Sequence, residues 1–158
     1  MNNIDSTINE KAKKYNIPIG LVKAIIQVES SGVESATRYE PGFKRKYLQN
    51  MSISEAEKIA RATSYGLMQL MGQVAIELGF KGELVLLLHP EINIEWSLKH
   101  LANFIKKYFN TYGWLGVIAS YNAGSPSLLS TGKYVNQRYV DKVVAEWERY
   151  EDVSEYIK

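Results

Sequence analysis

The sequence predicts a single, α-dominated domain. Its 158 residues suffice for one compact domain and are too few for two of ordinary size. Apolar residues recur at helical spacing along most of the chain, and no long alternating strand pattern appears. The hydrophobic fraction of 46% and the charged fraction of 23% are typical of a globular protein with an ordinary core. We therefore expect residues 1–158 to form one all-α or α-dominated domain.

The first two helices are predicted from their start and stop signals. A helix over about residues 5–15 has Asp5 or Ser6 as its candidate cap. Pro18 is well placed to open a second helix, because its fixed φ suits the first helical turn. That second helix is predicted to end just before Gly32.

The following segment combines an irregular stretch with a short helix. Residues 33–53 lack helical periodicity, and Pro41-Gly42 is a turn signal. A small hairpin around residues 38–49 is the strand structure that this stretch allows. Ser54-Glu55-Ala56-Glu57 is a capping box, which predicts that a short helix begins there.

Four more helices are predicted in the second half of the chain. A helix that begins at Tyr65 should end at Gly79. The longest begins at Pro90 or Ile94, where apolar residues at steps of three and four form one stripe. The four helices are expected at about residues 65–78, 90–112, 114–122 and 136–150.

Composition excludes several classes of function. A net charge of only +2 does not favour nucleic-acid binding by bulk electrostatics, so we expect no nucleic-acid partner. The absence of cysteine excludes disulfides and thiolate metal sites, and His89 and His100 share no metal-ligand spacing, so no metal is expected. The longest apolar run, residues 84–88, is far too short for a membrane span.

Glu29 is an unusual carboxylate on the second predicted helix. Val22, Ile25, Ile26 and Glu29 fall at i, i+3, i+4 and i+7, so the glutamate continues an apolar stripe. Burial there, together with the negative end of the helix dipole, should raise its pKa. A protonated carboxyl is what the cleavage of a glycosidic bond requires. The alternative is that Glu29 ends its stripe and turns into water.

Three motifs occur in order along the chain. They are Gln27-Val28-Glu29-Ser30-Ser31-Gly32, Ser64-Tyr65-Gly66-Leu67-Met68-Gln69-Leu70 and Ala119-Ser120-Tyr121-Asn122-Ala123-Gly124. Two weaker segments, His89-Pro90-Glu91-Ile92-Asn93-Ile94 and Arg138-Tyr139-Val140-Asp141-Lys142-Val143, complete the pattern. Together they resemble the motifs of soluble-type lytic transglycosylases (the SLT domain) and of goose-type lysozyme relatives, over about residues 17–145.

The resemblance implies a lysozyme-like fold and a peptidoglycan-cleaving enzyme. The bond cut would be the β-1,4 bond between N-acetylmuramic acid and N-acetylglucosamine, with a 1,6-anhydro product and no cofactor. Glu29 would be the catalytic acid and base. Tyr121 would support it, and the substrate-binding residues would be Ser30, Met68, Gln69, Tyr121 and Asn122. The partner would be the peptidoglycan glycan strand, and we expect a monomer.

Two departures from the family pattern are visible. His89 stands where the family usually has Asp, and Asn136-Gln137 stands where an acidic residue often precedes the closing helix, so the substrate role of that acid is not transferred. In addition, Arg38-Tyr39-Glu40-Pro41 is similar to a turn in phage-type relatives, which makes Glu40 a candidate second carboxylate. The alternative for Glu40 is an ion pair with Arg38 or Arg61.

Two other functions stay open. A second carboxylate in the cleft would suit a hydrolytic muramidase on the same fold, and a catalytically silent glycan-binding or virion module is a further alternative. The N-terminus has no basic segment followed by an apolar one, so it does not predict a secretory signal. For a protein that acts at the bacterial cell wall, delivery would then be by a phage particle, a holin or a fused domain.

Overall fold

Helices dominate the computed structural model, which describes residues 3–157. Three very short strands form a small antiparallel sheet beside them, in the order β1-β2-β3. The helices are α1 (Asn3–Tyr15), α2 (Ile19–Ser30), α3 (Pro41–Phe43), α4 (Glu55–Arg61), α5 (Gly72–Glu77), α6 (Pro90–Ala123) and α7 (Gln137–Trp147). The strands are β1 (Thr37–Tyr39), β2 (Thr63–Tyr65) and β3 (Leu70–Met71), and π- and 3₁₀-helical turns cover Lys44–Leu48 and Leu84–Leu88.

The main core surrounds α2, which packs against α7 and α1, while α1 packs along α6. Leu21, Val22 and Ile25 of α2 are fully buried. Each such side chain contributes roughly 1.5–3 kcal/mol by leaving water. The opposite wall of this core comes from α6 through Ile94 and Leu98, which are also fully buried. The helix that carries Glu29 is therefore among the most firmly held in the fold.

Several predicted helices are confirmed. The second helix begins after Pro18 and ends at Ser30, because Ser31 adopts a left-handed φ of 53° and terminates the helix just before Gly32. Ser54 caps α4 by accepting a hydrogen bond from the Glu57 amide at 3.1 Å. The predicted helices 90–112 and 114–122 form α6, which is interrupted at Gly113 by a φ of 59° and a ψ of −162°.

The predicted helix over residues 65–78 is wrong in its first part, whereas residues 72–77 form α5 and end just before Gly79 as expected. Gly66 and Gln69 adopt positive φ values of 72° and 50°, which a right-handed helix does not allow. The segment instead leaves β2, turns, and returns as β3 before α5 begins at Gly72. Its apolar residues are buried by the sheet and the core, so their spacing mimics that of a helix.

Two smaller expectations are also corrected. The hairpin around residues 38–49 does not form, because β1 pairs with β2 in the register Thr37↔Tyr65 rather than with the residues that follow it. Asp5 and Ser6 do not cap the first helix, because α1 already includes Asn3. Among residues 3–157, no helix is both long and apolar enough to cross a lipid bilayer.

Candidate active site

A cleft of about 710 Å³ lies between the C-terminal end of α2, the small sheet and α6. It brings together four of the site residues predicted from the sequence, which are Glu29, Gln69, Tyr121 and Asn122. Glu40 lines the same cleft. Positions up to 93 residues apart in the chain, Glu29 and Asn122, therefore meet at one site.

Glu29 is partly buried at the end of α2. Burial raises the pKa of its carboxyl above the ordinary value of 4.5. The hydrogen bond from Tyr139 and the positive charge of Arg38 act in the opposite direction and are smaller. Glu29 can therefore hold its proton at a higher pH than a solvent-exposed glutamate, as a general acid must.

The tyrosine that contacts Glu29 is Tyr139 of α7. Its hydroxyl donates a hydrogen bond to Glu29 Oε1 at 2.7 Å. Burial and the nearby Glu29 raise the pKa of Tyr139 well above 10, so its hydroxyl remains a donor. Tyr121, which was expected to support the acid, donates its hydroxyl hydrogen bond to the Met68 carbonyl at 2.8 Å, and its support of Glu29 stays a prediction.

The turn Gly66–Gln69 is held from several sides. Ser30 Oγ donates to the Leu67 carbonyl at 2.7 Å, which ties the end of α2 to this turn. Asn93, fully buried in α6, accepts a hydrogen bond from the Met68 amide at 2.8 Å and donates to the Tyr65 carbonyl at 2.7 Å. The turn and the catalytic-acid candidate are thus fixed relative to each other.

Two predicted substrate-binding residues act differently from the expectation. The side chain of Met68 is fully buried in the core, so it cannot touch a bound sugar, and its part in the site is the carbonyl that accepts from Tyr121. Ser30 does not line the cleft, and its hydroxyl donates a hydrogen bond to the Leu67 carbonyl. Both residues hold the wall of the cleft.

Gln69 and Asn122 do face the cleft. Gln69 Nε2 donates to the carbonyls of Ala36 and Gly66, at 3.1 and 3.0 Å, which leaves its oxygen available. Asn122 is exposed, and its Oδ1 accepts a hydrogen bond from Asn136 Nδ2 at 3.0 Å. That hydrogen bond orients the amide, whose own NH₂ group can donate to a ligand.

Glu40 forms an ion pair with Arg38, two residues before it, while Arg61 pairs with Glu57. The pair lies at the surface, with about a third of the Glu40 side chain exposed. The sequence left two roles open for Glu40, a second carboxylate in the cleft or an ion pair with Arg38 or Arg61. The ion pair with Arg38 is present, and Glu40 also lines the cleft. No cluster of three potential metal-ligating side chains occurs in the described residues.

An aromatic wall of the cleft was missed from the sequence. Phe43 and Tyr47 on one side and His100 and Phe104 on the other line it. Burial lowers the pKa of His100 to about 4, so its ring is neutral near pH 7 and packs against Phe104 at 4.5 Å between centroids. Apolar ring faces of this kind suit the faces of sugar rings. In the sequence these residues appear only as aromatic pairs at helical spacing. Such pairs are equally typical of side chains packed in a core, so they did not indicate a sugar-binding wall.

Replacement of Tyr139 by Phe should move the pH dependence of activity. The Tyr139 hydroxyl stabilises the ionised form of Glu29 and so lowers its pKa. Without it the pKa of Glu29 rises further, and the alkaline limb of the kcat/KM profile should shift to higher pH. Tyr65→Phe is the control, since it removes a hydrogen bond to the Ala60 carbonyl outside the cleft. An unshifted alkaline limb in Tyr139→Phe would contradict the assignment of Glu29 as the titrating acid.

A comparison with known protein families gives one match that covers most of the chain. Residues 6–144 match the family described as the transglycosylase SLT domain. The helix-dominated fold with its small three-stranded sheet agrees with the lysozyme-like fold of that family. The chain belongs to the transglycosylase SLT domain family, whose members are enzymes that cleave the glycan strands of peptidoglycan.

Proposed function

We propose that the protein is a lytic transglycosylase that cuts the β-1,4 bond between N-acetylmuramic acid and N-acetylglucosamine and leaves a 1,6-anhydro end. The observation that carries this proposal is Glu29, a partly buried carboxyl with a raised pKa and a hydrogen bond from Tyr139, in a cleft of about 710 Å³. The site of action is peptidoglycan in the bacterial cell wall.

Glu29 carries both proton transfers in this proposal. Its protonated carboxyl donates to the glycosidic oxygen as the bond to C1 breaks. The resulting carboxylate then takes the proton of the C6 hydroxyl of the muramic acid, whose oxygen attacks C1 of the same sugar. The carboxyl is protonated again at the end, and no water is consumed. Gln69 and Asn122 offer polar groups to the sugars from the cleft wall.

The second candidate function is hydrolysis, and Glu40 is the observation that keeps it in view. A muramidase requires a group that activates water or forms a covalent intermediate opposite the acid. Among the described residues that line the cleft, Glu40 is the one carboxylate besides Glu29. Its ion pair with Arg38 favours a structural role in the β1–α3 turn.

The Glu40→Gln variant separates the two functions. For a transglycosylase we expect activity within about threefold of wild type, because an exposed ion pair contributes only about 0–1 kcal/mol. For a muramidase that uses Glu40, activity should fall about 100-fold or more.

The measurement is mass spectrometry of the muropeptides released from purified sacculi by wild type and variant. Products with 1,6-anhydro-N-acetylmuramic acid ends from both proteins support the transglycosylase. Products with reducing N-acetylmuramic acid ends, which contain one more water, support the muramidase. Reducing N-acetylglucosamine ends would show that the enzyme cuts the other glycosidic bond.

A further inference from the structure

A second pocket, of about 480 Å³, adjoins the cleft and shares Glu29, Arg38 and Asn122 with it. The two pockets meet at the catalytic-acid candidate, so a glycan strand cut there occupies both. The first pocket has the aromatic wall described above. The second is bounded by the first two turns of α7, which contribute Arg138 and Lys142.

These two side chains place positive charge along the α7 side of the second pocket. Arg138 and Lys142 are four residues apart on α7, which places them on one face of the helix, where like charges repel. Within residues 3–157 neither forms a salt bridge with a carboxylate.

The two acidic groups nearest on α7, Asp141 and Glu146, line neither pocket and form no salt bridge with Arg138 or Lys142. Asp141 accepts a hydrogen bond from Gln137 at 2.8 Å, and Glu146 pairs with Arg149. The third cation of the pocket, Arg38, is paired with Glu40. The excess charge beside Glu29 therefore belongs to Arg138 and Lys142, and it is available to an anionic group of a ligand.

The acetamido sugars of a glycan strand are neutral, so they carry no anionic group that could pair with these cations. The ionised groups of peptidoglycan lie on the lactyl substituent of muramic acid, either as the lactyl carboxylate itself or as carboxylates of the peptide attached to it. Building on the function proposed above, we propose that Arg138 and Lys142 bind a carboxylate carried by the muramoyl residue next to the bond that is cut. They thereby select muramic-acid strands over neutral amino-sugar polymers.

The test measures binding of defined tetrasaccharides to the Glu29→Gln protein, in which turnover is blocked. The ligands are an N-acetylglucosamine–N-acetylmuramic acid tetrasaccharide with its peptides, the same tetrasaccharide with free lactyl carboxylates, and chitotetraose, which has no carboxylate. Calorimetry at low and high salt gives Kd for each. The Arg138→Gln/Lys142→Gln substitutions are then added, and Lys106→Gln/Lys107→Gln is the matched control, because both lysines are exposed on α6 outside both pockets.

We expect the Arg138→Gln/Lys142→Gln protein to lose about tenfold in affinity for a carboxylate-bearing tetrasaccharide, with a weaker salt dependence. Its affinity for chitotetraose should not change, and the lysine control should bind all three ligands normally. A loss confined to the peptide-bearing ligand identifies a peptide carboxylate. A loss confined to the ligand without peptides identifies the free lactyl carboxylate, which attachment of a peptide converts to a neutral amide. An equal loss for both muramic-acid ligands shows that the pair binds a carboxylate in either position.

Unchanged affinity for both muramic-acid ligands, or an equal loss for chitotetraose, would overturn the inference. Failure of the proposed function has a different signature. In that case wild-type protein releases no 1,6-anhydro muropeptides from sacculi, whatever the Arg138→Gln/Lys142→Gln variant binds.

Discussion

Replacing Glu29 by Gln should reduce the release of muropeptides from purified sacculi by about 100- to 10,000-fold. The amide has nearly the same shape as the carboxyl and keeps an oxygen for the Tyr139 hydroxyl. It has no proton to give to the glycosidic oxygen, and it cannot take one from an attacking hydroxyl. Mass spectrometry of the soluble fraction measures the loss.

The same variant also reports on the cost of ionising Glu29. The folded-state pKa of Glu29 is raised, so the folded protein binds this proton more tightly than the unfolded chain does. The contribution of Glu29 to the free energy of unfolding is therefore fully present below pH 4.5 and declines as the pH rises toward the raised pKa. Thermal melting should show Glu29→Gln gaining in stability relative to wild type over that range.

Two results would count against this account of Glu29. Equal activity of wild type and Glu29→Gln would remove the catalytic assignment of Glu29, whereas the absence of activity in both proteins would favour the silent glycan-binding alternative. A variant that melts well below wild type at neutral pH would contradict the expected gain in stability on removal of the Glu29 charge.

Replacing Gly66 by Ala should have the largest effect on stability. Gly66 has a φ of 72°, and a Cβ there would lie 2.6 Å from the Leu87 carbonyl oxygen and 2.5 Å from Asn93 Nδ2. The new methyl group would push apart the Asn93 hydrogen bonds that hold the Tyr65 and Met68 backbone. The strained φ and the disrupted buried hydrogen bonds together cost roughly 2–5 kcal/mol. For a chain of this length, that lowers Tm by roughly 5–15 °C.

Gly32→Ala is the matched control for this prediction. Gly32 also has a positive φ, of 79°, but a Cβ there would meet no atom within 4 Å. Its substitution should therefore cost only the conformational penalty of about 1–2 kcal/mol. Equal losses of Tm in the two variants would show that the contact between Gly66 and Asn93 does not hold the turn.

Gly66→Ala should also lower activity in the fraction that remains folded. The turn carries Gln69 into the cleft and presents the Met68 carbonyl to Tyr121. Displacing it by even a fraction of an ångström disturbs the wall opposite Glu29, and catalysis is sensitive to such misplacement. The measurement is the rate of muropeptide release at a temperature well below the Tm of the variant.

The sequence by itself determined the helical framework and the identity of the acid candidate. Long helices bury one continuous stripe, so their periodicity over α2, α6 and α7 is readable without a structure. Glu29 stood out because it continued such a stripe, and the motifs around Gly66 and Tyr121 placed it in the SLT family before any fold was known. These features are local, since each depends on residues within a few turns of one another.

Only the tertiary structure shows which side chains contact the site residues. Tyr139 lies 110 residues from Glu29, and no spacing along the chain indicates that their side chains meet. Strands of two or three residues are too short to show alternation, so β2 and β3 looked like the start of a helix. Burial of Met68, and the position of Arg138 and Lys142 beside Glu29 in the second pocket, follow from how distant elements pack. The spacing of apolar residues along a helix or strand indicates which of its faces is buried. The packing of the helices and strands decides which residues that face contacts.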